Sequence, residues 1–143
     1  MTVRDSRIVL DTNVWIYGLR QDQDYPSCWE LLQGLRAFQV IIPRQVLAEL
    51  QVNLAPEEYQ RFWQLINAFP ARMEISWDPG PTERINHYRG LGCRRGDAAV
   101  SALTEHVGAE LLVTENREFL RNVPTLPFRI VTSSAVLTEL GRR

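Results

Sequence analysis

Acidic side chains stand at four separated places, each close to an apolar segment. Asp11 follows the apolar run Ile8–Leu10, and Glu49 lies beside the apolar stripe of a predicted helix. Asp97 opens a further predicted helix, and Glu118 comes shortly after a fourth apolar run. Carboxylates that converge repel one another, and a divalent cation relieves that repulsion. An all-oxygen ligand set favours Mg²⁺ or Mn²⁺, whereas zinc prefers histidine and cysteine.

Each acid taken alone has a simpler structural interpretation. Asp11, Thr12 and Asn13 are all residue types that cap a helix N-terminus. Asp97 would suit the first turn of a helix, where the helix dipole favours negative charge. A glutamate beside an apolar stripe, such as Glu49, is typical of a solvated position. A functional interpretation therefore requires that the fold brings these acids together.

Short apolar runs alternate with amphipathic helices along the chain, which is the pattern of an α/β fold with a mainly parallel sheet. Strands are predicted at the following five places: Ile8–Leu10, Val40–Ile42, Met73–Trp77, Leu111–Thr114 and Phe128–Val131. Between these runs, apolar residues recur at helical spacing. Ligands bind beyond the carboxyl ends of the strands in such sheets, which is where Asp11 would lie.

Several helix boundaries can be predicted from local signals. The apolar spacing from Cys28 to Phe38 predicts one continuous helix, and Pro56 is expected in the first turn of another. A short helix is predicted around Phe119 and Leu120. Ser133 or Ser134 is expected to cap the last helix.

Length and composition indicate one globular domain over residues 1–143, with 45% apolar residues. A net charge of −1 argues against a broadly basic nucleic-acid surface. All 16 basic residues are arginine, which excludes lysine-based nucleophiles and the lysine-containing phosphate loop. Cys28 and Cys93 imply no disulfide framework. The N-terminal segment resembles neither a signal peptide nor a membrane span, so the cytoplasm is the expected location.

In order and spacing, four motifs resemble the PIN-domain family. They are Asp11–Asn13, Glu49, Gly96–Ala98 and Thr114–Phe119. The resemblance covers essentially the whole chain and implies a PIN-like three-layer α/β/α sandwich with a central, mainly parallel sheet. It also implies a metal-dependent ribonuclease, most similar among small members to the toxins of VapBC-type toxin–antitoxin pairs. A small antitoxin protein and a homodimer are therefore expected as partners, with RNA as the substrate.

The resemblance also implies roles for particular residues. Asp11, Glu49 and Asp97 match the family's catalytic ligands for Mg²⁺ or Mn²⁺. By the same resemblance, three further residues would orient the ligands or a water molecule, namely Thr12, Asn13 and Thr114.

The fourth acidic position departs from the family pattern. That pattern places an acid two residues after the threonine, where this chain has Asn116. An amide oxygen can coordinate a metal without contributing charge. Glu118, just before Phe119, is the alternative fourth ligand.

Basic and aromatic residues suggest how RNA and protein partners would bind. Four arginines near Asp97 are candidates for contacts with RNA phosphates, namely Arg84, Arg89, Arg94 and Arg95. His87 and His106 lack metal-ligand spacing and are expected to be structural. All four tryptophans are assigned to the core or to a dimer contact: Trp15, Trp29, Trp63 and Trp77. The aromatic helix face from Tyr59 to Phe69 is expected in the core or in a subunit contact.

Two other functions remain open from the sequence. A phosphatase using Asp11 as its nucleophile would resemble haloacid-dehalogenase-like proteins, but their second aspartate is replaced here by Asn13. A PIN-like scaffold that binds RNA or protein without cleavage is the other alternative, and Asn116 is the residue that favours it.

Overall fold

The computed structural model describes residues 3–116, 118–119, 123 and 125–141. Within these residues, five strands form one sheet: β1 Arg7–Leu10, β2 Gln39–Pro43, β3 Met73–Ser76, β4 Leu111–Val113 and β5 Arg129–Val131. The strand order is β3-β2-β1-β4-β5, and every neighbouring pair is parallel. All the predicted strands are therefore confirmed to within one or two residues.

Seven α-helices connect the strands in the described part of the chain. They are α1 Thr12–Leu19, α2 Pro26–Gln33, α3 Arg44–Asn53, α4 Pro56–Ala68, α5 Thr82–Gly90, α6 Arg95–His106 and α7 Ser133–Leu140. Helix α1 contacts α2, and α2 contacts α7, whereas α6 contacts α3 and α5. The fold is the predicted α/β/α sandwich around a parallel sheet.

The central strand β1 is apolar because helices cover the sheet. Ile8, Val9 and Leu10 are fully buried, and β2 and β4 flank them. On one side of the core, Trp15 of α1 meets Phe62 of α4 edge-on, with ring centroids 5.0 Å apart. Buried apolar side chains of this kind supply most of the stabilisation of such a fold.

Some helix ends differ from the predicted ones. Helix α2 ends at Gln33, and a separate 3-10 turn, Leu35–Ala37, leads into β2, so the predicted continuous helix through Phe38 is wrong. Gly34 separates the two segments, although Leu35 and Phe38 remain fully buried. Apolar spacing thus identified buried positions but not the break between them.

The cap of the last helix also differs from the prediction. Thr132 has extended backbone geometry and accepts a hydrogen bond from the amide of Ala135 at 3.2 Å, so the cap is neither Ser133 nor Ser134. Ser133 is already the first helical residue. The helix predicted around Phe119 and Leu120 falls partly on residues 117 and 120–122, which lie outside the described residues.

Helix α4 begins as predicted, with Pro56 in its first turn. The carboxylate of Glu58 accepts a hydrogen bond from the amide of Ala55 at 2.8 Å, which satisfies a free donor at the helix start. None of the described helices is both long and apolar enough to span a lipid bilayer.

Candidate metal centre

The candidate site lies beyond the carboxyl ends of the central strands. Asp11 directly follows β1, Thr114 directly follows β4, and α3, which carries Glu49, begins directly after β2. Because these three strands are parallel neighbours, their carboxyl ends share one edge of the sheet. The sheet topology therefore explains how residues about 100 positions apart come together.

Asp11 is held by two hydrogen bonds and is only 7% exposed. Its Oδ1 accepts from the amide of Thr12 at 2.8 Å, and its Oδ2 accepts from the hydroxyl of Thr114 at 2.9 Å. The first bond caps α1, so the capping interpretation is correct for this residue. The second bond ties the same carboxylate to the neighbouring strand, which a cap alone would not require.

Glu49 points back towards the start of α1. Its Oε2 accepts from the hydroxyl of Thr12 at 2.6 Å, and its Oε1 accepts from the side-chain amide of Gln45 at 3.0 Å. Glu49 is thus a partly buried, hydrogen-bonded residue and not a freely solvated one. Gln45 was not identified from the sequence, although its position one helical turn before Glu49 was a usable signal.

Helix α6 brings Asp97 to the same place. It begins at Arg95, so Asp97 is its third residue and not its first. A Cβ atom on Gly96 would lie 2.8 Å from Oε1 of Glu49, closer than real Cβ contacts allow. Because glycine has no side chain, α6 approaches Glu49 closely at this position and admits its carboxylate beside the helix terminus.

Electrostatic coupling links the three carboxylates. Burial raises the pKa of Asp11 from 3.8 to about 6, hydrogen bonds from Thr114 and Thr12 oppose the rise, and Asp97 and Glu49 add to it. Burial and the charge of Glu49 raise the pKa of Asp97, while Arg94 lowers it. Each contribution of a neighbouring carboxylate to these two pKa values has the sign expected of like charges that face one another.

Thr114 is the centre of a hydrogen-bond network behind Asp11. Besides donating to Asp11, its hydroxyl oxygen accepts from the side-chain amide of Asn13 at 3.2 Å and from the backbone amide of Asn116 at 3.1 Å. The side-chain oxygen of Asn13 accepts from the amide of Glu115 at 3.2 Å. Asn13 and Thr114 therefore lie where residues that orient Asp11 should lie.

The two alternatives for a fourth ligand lie in one local turn. The side-chain oxygen of Asn116 accepts a hydrogen bond from the amide of Glu118 at 3.1 Å. Both residues are exposed, whereas Asp11 is buried. Asn116 therefore uses its side-chain oxygen to stabilise the turn in this conformation.

Glu115 has a structural contact that the sequence did not reveal. Its Oε1 accepts from the amide of Ser133 at 3.0 Å and lies 3.5 Å from the thiol of Cys28. The turn after β4 is thereby fastened to the start of α7 and to α2. Because the three residues are far apart in sequence, no local pattern could have identified this contact.

The four predicted RNA-binding arginines have different environments. Arg84 forms an ion pair with Glu105 at 3.0 Å, which joins α5 to α6. Arg94 is exposed and lies close enough to Asp97 to lower its pKa. Arg89 and Arg95 line a groove together with Arg44, which was not among the arginines predicted from the sequence.

The chemistry of the donor set fits a hard divalent cation. Asp11, Glu49 and Asp97 supply only oxygen atoms, and their mutual repulsion would be relieved by positive charge. Within the described part of the chain, no three acidic, histidine or cysteine side chains already stand in a metal-binding arrangement. The oxygens of Asp11 and Glu49 are instead engaged by hydrogen bonds, which a bound ion would partly replace.

The fold is similar to solved structures that include toxin–antitoxin complexes. VapBC2 from Rickettsia felis, bound to a DNA fragment from its promoter, has 23% identity and a TM-score of 0.61, over 88% of this chain and 98% of the other. A Klebsiella pneumoniae toxin–antitoxin complex has 23% identity and a TM-score of 0.57, covering 86% and 99%. PAE2754 from Pyrobaculum aerophilum has 14% identity and a TM-score of 0.56, covering 97% and 91%. At these identities the likeness supports the fold alone.

Sequence comparisons give a more specific result. No curated protein matches the chain. The sequence pattern of the PIN domain, in contrast, matches residues 8–126, which includes Asp11, Glu49 and Asp97. The match extends over most of the chain, including every described element from α1 to β4 and all of β1 except its first residue. The chain therefore belongs to the PIN domain family.

Proposed function

We propose that this protein is a divalent-metal-dependent endoribonuclease and the toxin of a toxin–antitoxin pair. PIN domains are generally nucleases, and two of the similar solved structures are toxin–antitoxin complexes. The observation that carries the proposal is the convergence of Asp11, Glu49 and Asp97 at one edge of the sheet, where the charges of Asp97 and Glu49 raise the pKa of Asp11 and the charge of Glu49 raises that of Asp97. Carboxylates that served only as helix caps would have no reason to lie close enough to repel one another.

Asp11, Glu49 and Asp97 would hold Mg²⁺ or Mn²⁺. Such an ion, when bound, supplies charge neutralisation at the scissile phosphate and makes a water molecule more acidic. The protein's contribution is to place the carboxylates. Thr114 fixes Oδ2 of Asp11 at 2.9 Å, and Thr12 fixes Oε2 of Glu49 at 2.6 Å. Supporting hydrogen bonds of this kind typically change metal affinity or activity ~10–100-fold.

An antitoxin and a second copy of the chain are the proposed protein partners. On α4, Phe62 and Ile66 are buried, while Tyr59 and Trp63 are partly exposed beside them. Part of the predicted aromatic face therefore remains available for a protein contact. Sedimentation of the chain produced alone at high micromolar concentration tests the homodimer, and a monomer there would contradict it.

One cleavage experiment tests the enzymatic proposal. Purified wild type and Asp97→Asn are incubated with labelled RNA in Mg²⁺, in Mn²⁺ and in excess EDTA, and products are separated by electrophoresis. We expect internal cleavage by the wild type only with metal, and none by Asp97→Asn. Full activity in EDTA, or in Asp97→Asn with metal, would reject the proposal.

A non-cleaving scaffold is the second candidate. It is favoured by the fourth position, where Asn116 brings no charge and its side-chain oxygen is engaged by Glu118. It predicts RNA or antitoxin binding without metal-dependent cleavage. The same cleavage experiment, combined with an RNA-binding measurement, distinguishes the two candidates.

A further inference from the structure

A groove of about 530 Å³ lies next to Glu49, between α3, α5, α6 and the loop that follows β3. Arg44, Arg89 and Arg95 line it, and we refer to it as the arginine groove. Of the described residues, no acidic one lines this groove. In a chain with a net charge of −1, such a concentration of positive charge indicates an anionic ligand.

The three guanidinium groups of the arginine groove are available for a ligand. Within the described residues, none of them forms an ion pair or a side-chain hydrogen bond. Other arginines of this protein are engaged by carboxylates, as Arg84 is by Glu105 and Arg129 is by Glu139. An unpaired arginine presents a planar, bidentate match to a phosphate group.

The arginine groove continues into the carboxylate site. The side chain of Gln45 lines the groove and donates to Oε1 of Glu49 at 3.0 Å. Arg95 and Asp97 belong to the same first turn of α6. A polyanion with one phosphate at the carboxylates would therefore have further phosphates close to the arginines.

Trp77 adds an aromatic surface near the groove. It directly follows β3 and is 65% exposed, so of its two predicted environments the core is excluded and a dimer contact stays a prediction. Pro79, which lines the arginine groove, follows two residues later, and two residues span at most ~7 Å. An exposed indole beside a positively charged groove is the usual arrangement for stacking an unpaired base.

We propose that the arginine groove binds the phosphates of single-stranded RNA next to the carboxylates and that Trp77 stacks on one base. The choice of RNA rests on the proposed function. An unpaired strand is required because a base within a duplex is already stacked and cannot lie on the indole. The site is thus a continuation of the candidate metal centre that holds the substrate without taking part in its cleavage.

Salt dependence of binding tests the phosphate contacts. A fluorescein-labelled oligouridine of twelve nucleotides is titrated with the full chain in EDTA, and anisotropy is recorded at several salt concentrations. Each of Arg44→Ala, Arg89→Ala and Arg95→Ala should reduce the slope of log affinity against log salt by about 0.7. The matched control is Arg36→Ala, because exposed Arg36 precedes β2 whereas Arg44 follows it, at the opposite edge of the sheet.

Substitution of Trp77 tests the stacking contact. Trp77→Ala should weaken binding of the oligouridine roughly tenfold, whereas Trp77→Phe should retain most of the affinity because a phenyl ring also stacks. Circular dichroism confirms that each variant is folded. A duplex RNA of the same length should bind equally to the wild type and to Trp77→Ala.

The outcomes separate this site from the proposed nuclease activity. Oligouridine binding with the expected slopes but without cleavage in Mg²⁺ would support the groove and reject the nuclease. If RNA is cleaved in Mg²⁺ but the three arginine variants show the same salt slope as the control Arg36→Ala, the nuclease activity is supported and the groove is rejected. Absence of oligouridine binding, together with salt-dependent binding of a polyglutamate peptide, would assign the groove to an acidic protein segment and overturn the proposal.

Discussion

The hydroxyl of Thr12 donates a hydrogen bond of 2.6 Å to Oε2 of Glu49, which lies 37 residues away. The amide of the same residue donates to Oδ1 of Asp11 at 2.8 Å. One residue at the start of α1 thus sets the positions of two carboxylates on different elements. Electrostatic repulsion would otherwise drive these carboxylates apart in the absence of a cation.

Thr12→Val removes this hydroxyl but preserves the branched shape. We expect the apparent metal affinity in the cleavage reaction to fall ~10–100-fold, since Glu49 loses the donor that orients it. Thr12→Ser retains a hydroxyl and serves as the control, with affinity close to that of the wild type. Titration of the cleavage rate with metal measures the apparent affinity of each variant. Equal affinities in Thr12→Val and Thr12→Ser would show that this hydrogen bond does not contribute to metal binding.

Asp97→Asn should abolish cleavage without destabilising the metal-free protein. Among the described residues, no capping hydrogen bond to the side chain of Asp97 is found at the start of α6, and its charge raises the pKa of Asp11, so its neutralisation reduces repulsion. The melting temperature in EDTA is expected to equal or exceed that of the wild type. Exposed Asp24→Asn is a suitable control. A marked fall in the melting temperature of Asp97→Asn would instead indicate a structural role at the helix start.

The raised pKa of Asp11 predicts an unusual pH dependence of stability. Because the folded protein holds this proton up to a pH of about 6, whereas the unfolded chain releases it near 3.8, stability falls as pH rises between these values. The contribution to the free energy of unfolding is on the order of 3 kcal/mol. Urea unfolding in EDTA at pH 4 and pH 7 measures it, and Asp11→Asn should lose this difference. Identical pH dependence in the variant would contradict the assignment.

Gly96→Ala tests the close approach of α6 to Glu49. The added Cβ would lie 2.8 Å from Oε1 of Glu49, so the flexible carboxylate must move and metal affinity should fall roughly tenfold. Because only a side-chain end is displaced, the free energy of unfolding should change by less than about 1 kcal/mol. Gly90→Ala meets no atom within 4 Å and is the matched control. Isothermal titration with Mn²⁺ measures the affinities, and equal values for both variants would remove Gly96 from the site.

The fourth position is tested by Asn116→Asp and Glu118→Gln. A carboxylate at position 116 can still accept the hydrogen bond from the amide of Glu118, so the turn should persist with an added charge. If residue 116 is a ligand, the metal-induced rise in melting temperature should be larger in Asn116→Asp than in the wild type. If Glu118 is the ligand, Glu118→Gln should weaken metal binding instead. Unchanged affinity in both variants would place this segment outside the metal site.

The sequence by itself determined the elements and the acids. Ile8–Leu10 and Leu111–Val113 are short apolar runs, and such runs form strands wherever helices cover both faces of a sheet. Asp11, Glu49 and Asp97 could be chosen as candidate metal ligands because the order and spacing of the four motifs, which resemble the PIN-domain family, are visible in the sequence itself. Helix ends were less predictable, because the apolar spacing continues across the break at Gly34 and because Thr132 and the two serines after it are all good capping residues.

Only the tertiary structure decided which side chains meet. Arg84 and Arg89 lie five residues apart on the same helix, yet Arg84 is engaged by Glu105 and Arg89 lines the arginine groove. Arg44 enters that groove from another helix. Ion pairs, burial and Coulombic coupling depend on distances in space, and these were set when parallel strands placed their carboxyl ends at one edge of the sheet.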